Sequence, residues 1–143
     1  MRNKCIILFT LVIFLFTGLN AHLYASQDNF YGTWTCKFSD DDYTIILTVT
    51  ISATRMTWEF EELFEGYEVE SDKLTLDIIR WAEVINTDSD TRSAYPNGFT
   101  VEIIDDEDYS TEEIEMFISR DKRQITIPLF NDELGDILIF RKQ

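Results

Sequence analysis

Acidic side chains are the most numerous groups able to do chemistry, with 27 Asp and Glu among 143 residues. Two carboxylates at the right separation serve as acid and nucleophile in glycoside hydrolysis. With this many acids such pairs arise by chance, and no pair is singled out. Asp40-Asp41-Asp42, Asp88-Ser89-Asp90 and Asp105-Asp106-Glu107-Asp108 offer the oxygen ligands that calcium takes. None carries the glycine and terminal glutamate of an EF-hand loop, so they read as solvated turns and no metal site is assigned. The one histidine, His22, lies within the N-terminal segment 1–25. Beyond it no imidazole is present to build a Ser-His-Asp triad, a Cys-His pair or a histidine zinc site. Cys36 alternates with Trp34 and Phe38, and the adjacent Lys37 faces the other way, so it reads as a buried structural thiol. No catalytic residue and no cofactor is assigned, and the expectation is a protein that is not an enzyme.

The elements that must position these groups are strands. Tyr43, Ile45, Leu47, Val49 and Ile51 alternate with a mostly Thr and Ser face. Met56, Trp58 and Phe60 alternate with Thr57 and Glu59, Phe99, Val101 and Ile103 with Thr100 and Glu102, and Ile125, Ile127 and Leu129 with Thr126 and Pro128. This period of two belongs to antiparallel strands with one face on a core and the other in water. Asp, Asn, Gly and Ser clusters separate the runs. The spacing predicts strands near 31–38, 43–52, 55–63, 67–70, 74–86, 99–104, 112–119, 124–130 and 136–141. In 112–119, Ser110 and Glu113 also form a helix capping box, but the alternation of Ile114, Met116 and Ile118 and the turn that follows favour a strand. The fold class expected is all-β: an antiparallel meander barrel of about eight to nine strands.

The run 74–85 is irregular, because alternation from Leu74, Leu76 and Ile78 places Arg80 on the inner face and Trp81 outside. Either a bulge near Asp77–Ile79 switches the faces, or Arg80 enters the barrel as a counter-ion for an acidic ligand. The connection Asn86–Gly98 is the longest, and a lid over the open end is one role for it.

The chain opens with Arg2 and Lys4, then the apolar run Cys5–Phe16, then a short polar stretch ending in Ala25-Ser26. That is the order of a secretory signal peptide, too short in its apolar part to span a bilayer. The expected division is a signal peptide over 1–25, with cleavage after Ala21 as the alternative, and one domain over 26–143. Neither cysteine stands where a lipoprotein anchor needs it, so a secreted or periplasmic location is expected, with no membrane span after cleavage. The net charge of −15 becomes two units more negative without residues 1–25, which hold two bases and no acids. Such a surface repels nucleic acid and suits a cationic protein or peptide.

At the start of the first strand stands Phe30-Tyr31-Gly32-Thr33-Trp34, and near the end of the last stands Ile137-Leu138-Ile139-Phe140-Arg141. The Gly32-x-Trp34 opening resembles the signature of lipocalins, and the whole arrangement is most similar to small bacterial lipocalin-like domains of the calycin type. The chain is shorter than typical lipocalins, and their helix before the last strand and their Thr-Asp-Tyr turn are not found. The resemblance implies that Gly32, Trp34 and Arg141 form the structural motif that closes the barrel floor, with the Arg141 guanidinium over the indole. It implies noncatalytic binding of a small hydrophobic ligand in the barrel, and an inward Arg80 would match the arginines of fatty-acid carriers. Projection of the alternation gives the wall residues Trp58, Phe60, Ile78, Val101, Met116 and Ile127. The alternative is a barrel filled by its own side chains, acting as a protein-interaction or inhibitor module through its loops and acidic surface.

Overall fold

The structure is a computed structural model that describes residues 25–105, 109–128 and 137–143. The expected signal peptide, the Asp106–Asp108 part of one acidic turn and the turn at Asn131-Asp132 therefore lie outside the described residues. A short 3-10 turn, η1 (Gln27–Phe30), leads into eight strands: β1 (Gly32–Asp40), β2 (Tyr43–Ile51), β3 (Arg55–Phe64), β4 (Tyr67–Ile85), β5 (Asn97–Ile104), β6 (Thr111–Ile118), β7 (Gln124–Pro128) and β8 (Ile137–Lys142). They form a closed barrel in chain order, every neighbouring pair antiparallel. The expected meander barrel is present, and 111–118 is a strand.

Eight strands rather than nine result because the segments predicted at 67–70 and 74–86 are one strand. The Ser71-Asp72-Lys73 cluster, read as a turn, instead pairs with Glu59–Glu61 of β3, and Lys73 donates to Glu59 at 2.7 Å across that pairing. Cross-strand partners overrode local turn propensity. The lower half of β4 pairs with β5, with a register shift between Ile78 and Arg80. That bulge leaves Ile79 unpaired and returns Trp81 to the inner face opposite Val101.

Stepping across paired positions from Ile85 through Asn97, Ile118 and Ile125 to Phe140, then one residue beyond the Thr35↔Arg141 pair to Cys36 and on through Leu47 and Phe60, returns to β4 at Asp72. Once the bulged residue is discounted, that is a stagger of roughly a dozen residues, which requires steeply tilted strands. Inward residues fill the lower barrel: Trp34, Val49, Met56, Val101, Met116, Ile125 and Phe140 have no accessible surface, so no water-sized space borders them. Trp58 on β3 meets Phe140 on β8 edge to face at 5.9 Å between centroids.

The β7–β8 ribbon joins the rest by two short seams. β6 pairs with β7 at Phe117↔Thr126 and Ile118↔Ile125, and β1 pairs with β8 at Trp34↔Lys142 and Thr35↔Arg141. Both seams lie at the floor, the end that also holds η1 and the turns at 52–54, 86–96 and 119–123. Gly98 serves the same region: a Cβ there would stand 1.8 Å from the Met116 carbonyl oxygen, on backbone that cannot yield. Gly98→Ala is expected to destabilise by about 2–3 kcal/mol, measured by urea unfolding. A loss under about 0.5 kcal/mol would mean that β5 and β6 do not approach this closely.

Candidate functional site

The floor is an aromatic plug. Trp34 is fully buried and its indole N–H donates to the Phe30 carbonyl oxygen at 2.7 Å, satisfying the one polar atom that burial would otherwise strand. Phe30, also fully buried, meets Phe99 at 5.6 Å and Trp81 at 6.5 Å, both edge to face. The Trp81 indole N–H donates to the Ala53 carbonyl at 2.9 Å, tying the β2–β3 connection to the plug. Gly32 holds φ +121°, a conformation that L side chains rarely adopt, and this turns the chain from η1 into β1.

The cation over Trp34 is Lys142, its Nζ 5.1 Å from the ring centroid. Arg141, assigned this position from sequence, lies opposite Thr35 and is exposed. Strand parity is the reason: Leu138 and Phe140 point inward, so Lys142 shares their face and Arg141 takes the other. Arg80 is likewise outside, because of the bulge at Ile79. It is exposed and pairs with Glu102 at 3.0 Å and Glu113 at 2.8 Å. It is not a counter-ion within the barrel.

The expected wall residues divide. Val101, Met116, Ile127 and Ile78 belong to the buried core. Trp58 and Phe60 are half-buried, higher in the barrel, beside the half-buried Leu47. The 86–96 connection is not a lid over the open end, since Asn97 at its close pairs with Ile85 and Ile118 beside the floor. It is folded from within: the Asn86 amide donates to the Tyr95 carbonyl at 2.9 Å, and Asp88 accepts from the Asp90 and Thr91 backbone N–H groups at 2.8 and 2.9 Å.

The opposite end is where sequence reasoning missed a surface. The upper ends of β1, β2, β3 and β4 form a lip whose inner face follows from register. Its top row is Asp40, Tyr43, Phe64 and Tyr67; the next is Phe38, Ile45, Glu62 and Glu70; the third is Cys36, Leu47, Phe60 and Asp72. Four aromatics of this face are exposed, Phe38 by 43%, Tyr43 by 51%, Phe64 by 36% and Tyr67 by 76%, and the Tyr43 and Phe64 rings lie 4.9 Å apart. The alternation in 43–51 and 55–64 carried this signal, because it continues with aromatic residues past the depth that a closed barrel buries.

Among the described residues no group of three or more His, Cys, Asp or Glu is arranged to hold a metal ion, and no helix is long and apolar enough to cross a membrane. Burial raises the Cys36 thiol pKa, an effect only partly offset by its hydrogen bond with the Ile139 backbone. This disfavours the thiolate that reactivity requires. Asp88 is held below the usual carboxylate range by the Thr91 and Asp90 backbone N–H groups and the Thr91 hydroxyl, and Asp121 by the Ser119 hydroxyl and the Arg123 backbone N–H. No family model, no curated protein and no solved structure matches this chain. What its own residues define is an eight-stranded antiparallel meander barrel, plugged at one end and flared at the other.

Two outcomes test the floor. Lys142→Ala is expected to cost about 0.5–1 kcal/mol through the lost cation–π contact, while Arg141→Ala changes stability by less than about 0.5 kcal/mol; the reverse order in thermal unfolding would restore Arg141 as the closing residue. For the loop the sign follows from depressed carboxylates: their contribution is complete above the unfolded value, near 3.8, and is lost as pH falls through the lower folded values. Replacing Asp88 with Asn is therefore expected to flatten the acid-side decline of stability below about pH 4. An unchanged slope would show that Asp88 does not bind the loop's N–H groups.

Proposed function

We propose that this is an exported, noncatalytic binding protein of lipocalin-like type, with residues 1–25 as its signal peptide and a barrel that serves as a solid scaffold. In this reading the mouth engages the partner, and the barrel does not enclose a ligand at its centre. The observation that supports it is the contrast between the two halves. The lower interior is filled by fully buried Trp34, Val49, Met56, Val101, Met116, Ile125 and Phe140, while four exposed aromatics share one inner face at the lip. An exposed apolar face of this kind is costly in water and typical of interaction sites. The Gly32-x-Trp34 opening and the steep stagger of the strands support the lipocalin-like comparison.

Carriage of a small hydrophobic ligand is the second reading, favoured by one specific feature. Leu47, Trp58 and Phe60 remain half-buried beneath the lip and offer apolar surface to a small ligand. A ligand held there sits at the mouth, above Ile78, Val101, Met116 and Ile127, with apolar burial at about 25 cal/mol per Å2 as its driving force.

Titration with an environment-sensitive hydrophobic dye separates the possibilities. Saturable binding is expected, weakened roughly tenfold by Phe64→Ser together with Tyr67→Ser. Binding unaffected by that pair would place the site elsewhere, and absence of saturable binding would remove the mouth as an apolar site. A fatty acid or retinoid that quenches the wild-type emission, but not that of Trp58→Phe, would establish the second reading.

A further inference from the structure

We infer that the inner face of the lip docks a cationic amphipathic peptide segment, one in which Lys or Arg alternates with apolar residues; this rests on the mouth being the binding face. Among the described residues the lip keeps four aromatic side chains of one sheet face exposed. Its top row holds Tyr43, Phe64 and Tyr67, and half-buried Leu47, Trp58 and Phe60 lie below, with carboxylates set on the same face. Glu62 and Glu70 are direct cross-strand partners, Asp72 follows on β4 opposite Phe60, and Asp40 stands opposite Tyr43. Two glutamates placed directly opposite on neighbouring strands repel each other. Apolar residues at these positions would have extended the core instead.

The charge pattern selects the occupant. Among the described residues the ion pairs, Arg55 with Asp77, Lys73 with Glu59, and Arg80 with Glu102 and Glu113, all lie on the outer face. The inner-face carboxylates form no ion pair among the described residues, and Asp72 accepts the neighbouring Lys73 backbone N–H at 2.7 Å. A partner that supplies cations here neutralises the repulsion between Glu62 and Glu70. The exposed rings of Tyr43, Phe64 and Tyr67 then add cation–π contacts. Along β3 the inner face alternates Phe64, Glu62 and Phe60, and each row across the lip holds both apolar and acidic residues, so the complementary partner carries both kinds of side chain. A polyamine satisfies the carboxylates but leaves the aromatic row and the apolar surface of Leu47, Trp58 and Phe60 uncovered. An extended peptide covers all three rows.

The test uses a fluorescent synthetic peptide of alternating Lys and Leu, its Glu and Leu counterpart, and spermine, followed by anisotropy and salt titration. The Lys peptide is expected to bind saturably and to weaken as salt is raised. Glu62→Gln with Glu70→Gln should weaken it by roughly three- to tenfold and reduce the salt dependence. Glu61→Gln with Glu115→Gln removes the same charge from outward positions and should leave binding unchanged. Equal loss from both pairs would overturn the inference in favour of unspecific attraction to net charge, as would spermine displacing the peptide at equal charge concentration. Equal binding of the Lys and Glu peptides, both lost in Phe64→Ser with Tyr67→Ser, would overturn the cationic preference while leaving the mouth as the binding face. If neither peptide binds, the docking inference fails, and the dye titration reports separately on the mouth.

Discussion

The structure depends on how its last ribbon is held to its first strand. Among the described residues, β8 meets β1 at only two paired positions, and one of them is Trp34 opposite Lys142. Two pairs of backbone groups are little to close a barrel with. The seam is supported from inside by the Trp34 indole, which is fully buried, hydrogen-bonded to the Phe30 carbonyl and covered by the Lys142 ammonium. The same indole therefore sets the position of η1, fills the floor and fixes the register of the final strand. Phe30 extends the plug to Phe99 and Trp81, so three sides of the barrel converge on it.

Filling one end has consequences for the other. A steeply staggered barrel has strands of unequal reach, and β4, with 19 residues, carries the excess. Its lower half completes the wall with β5 and its upper half forms the lip with the upper ends of β1, β2 and β3. Core side chains reach only partway up that wall, which leaves aromatic and acidic residues exposed on its inner face among the described residues. The proposed binding role follows from this division between a solid base and an exposed rim.

Much of the fold was legible in the sequence because apolar residues recur at every second position in 43–51, 56–60, 99–103 and 114–118, with Ile46 and Phe117 the only apolar residues on the other face. Parity fails where apolar residues are consecutive. In Ile137-Leu138-Ile139-Phe140 nothing local says which pair faces inward, and the cation over Trp34 was assigned to Arg141 instead of Lys142. The bulge at Ile79 was one of two readings of an irregular run, and pairing with β5 decided it against an inward Arg80. The expected wall residues lie on the inner face, yet whether an inner face is lined or filled depends on what arrives from across the barrel. Phe140 reaching Trp58 is a contact between distant parts of the chain that no local pattern encodes. The lip was missed for a related reason: Ser71-Asp72-Lys73 has the composition of a turn, and only its partners on β3 make it strand.

The claim on which the functional account rests is that the lower barrel is dry and packed from wall to wall. Nuclear Overhauser spectroscopy tests it most directly, through the ring protons of Trp58 and Phe140 and the methyl groups of Val101 and Met116. The account predicts cross-peaks between the two rings and no exchange with water at those methyls. Water cross-peaks at Val101 and Met116, with none between Trp58 and Phe140, would show an open interior and contradict it.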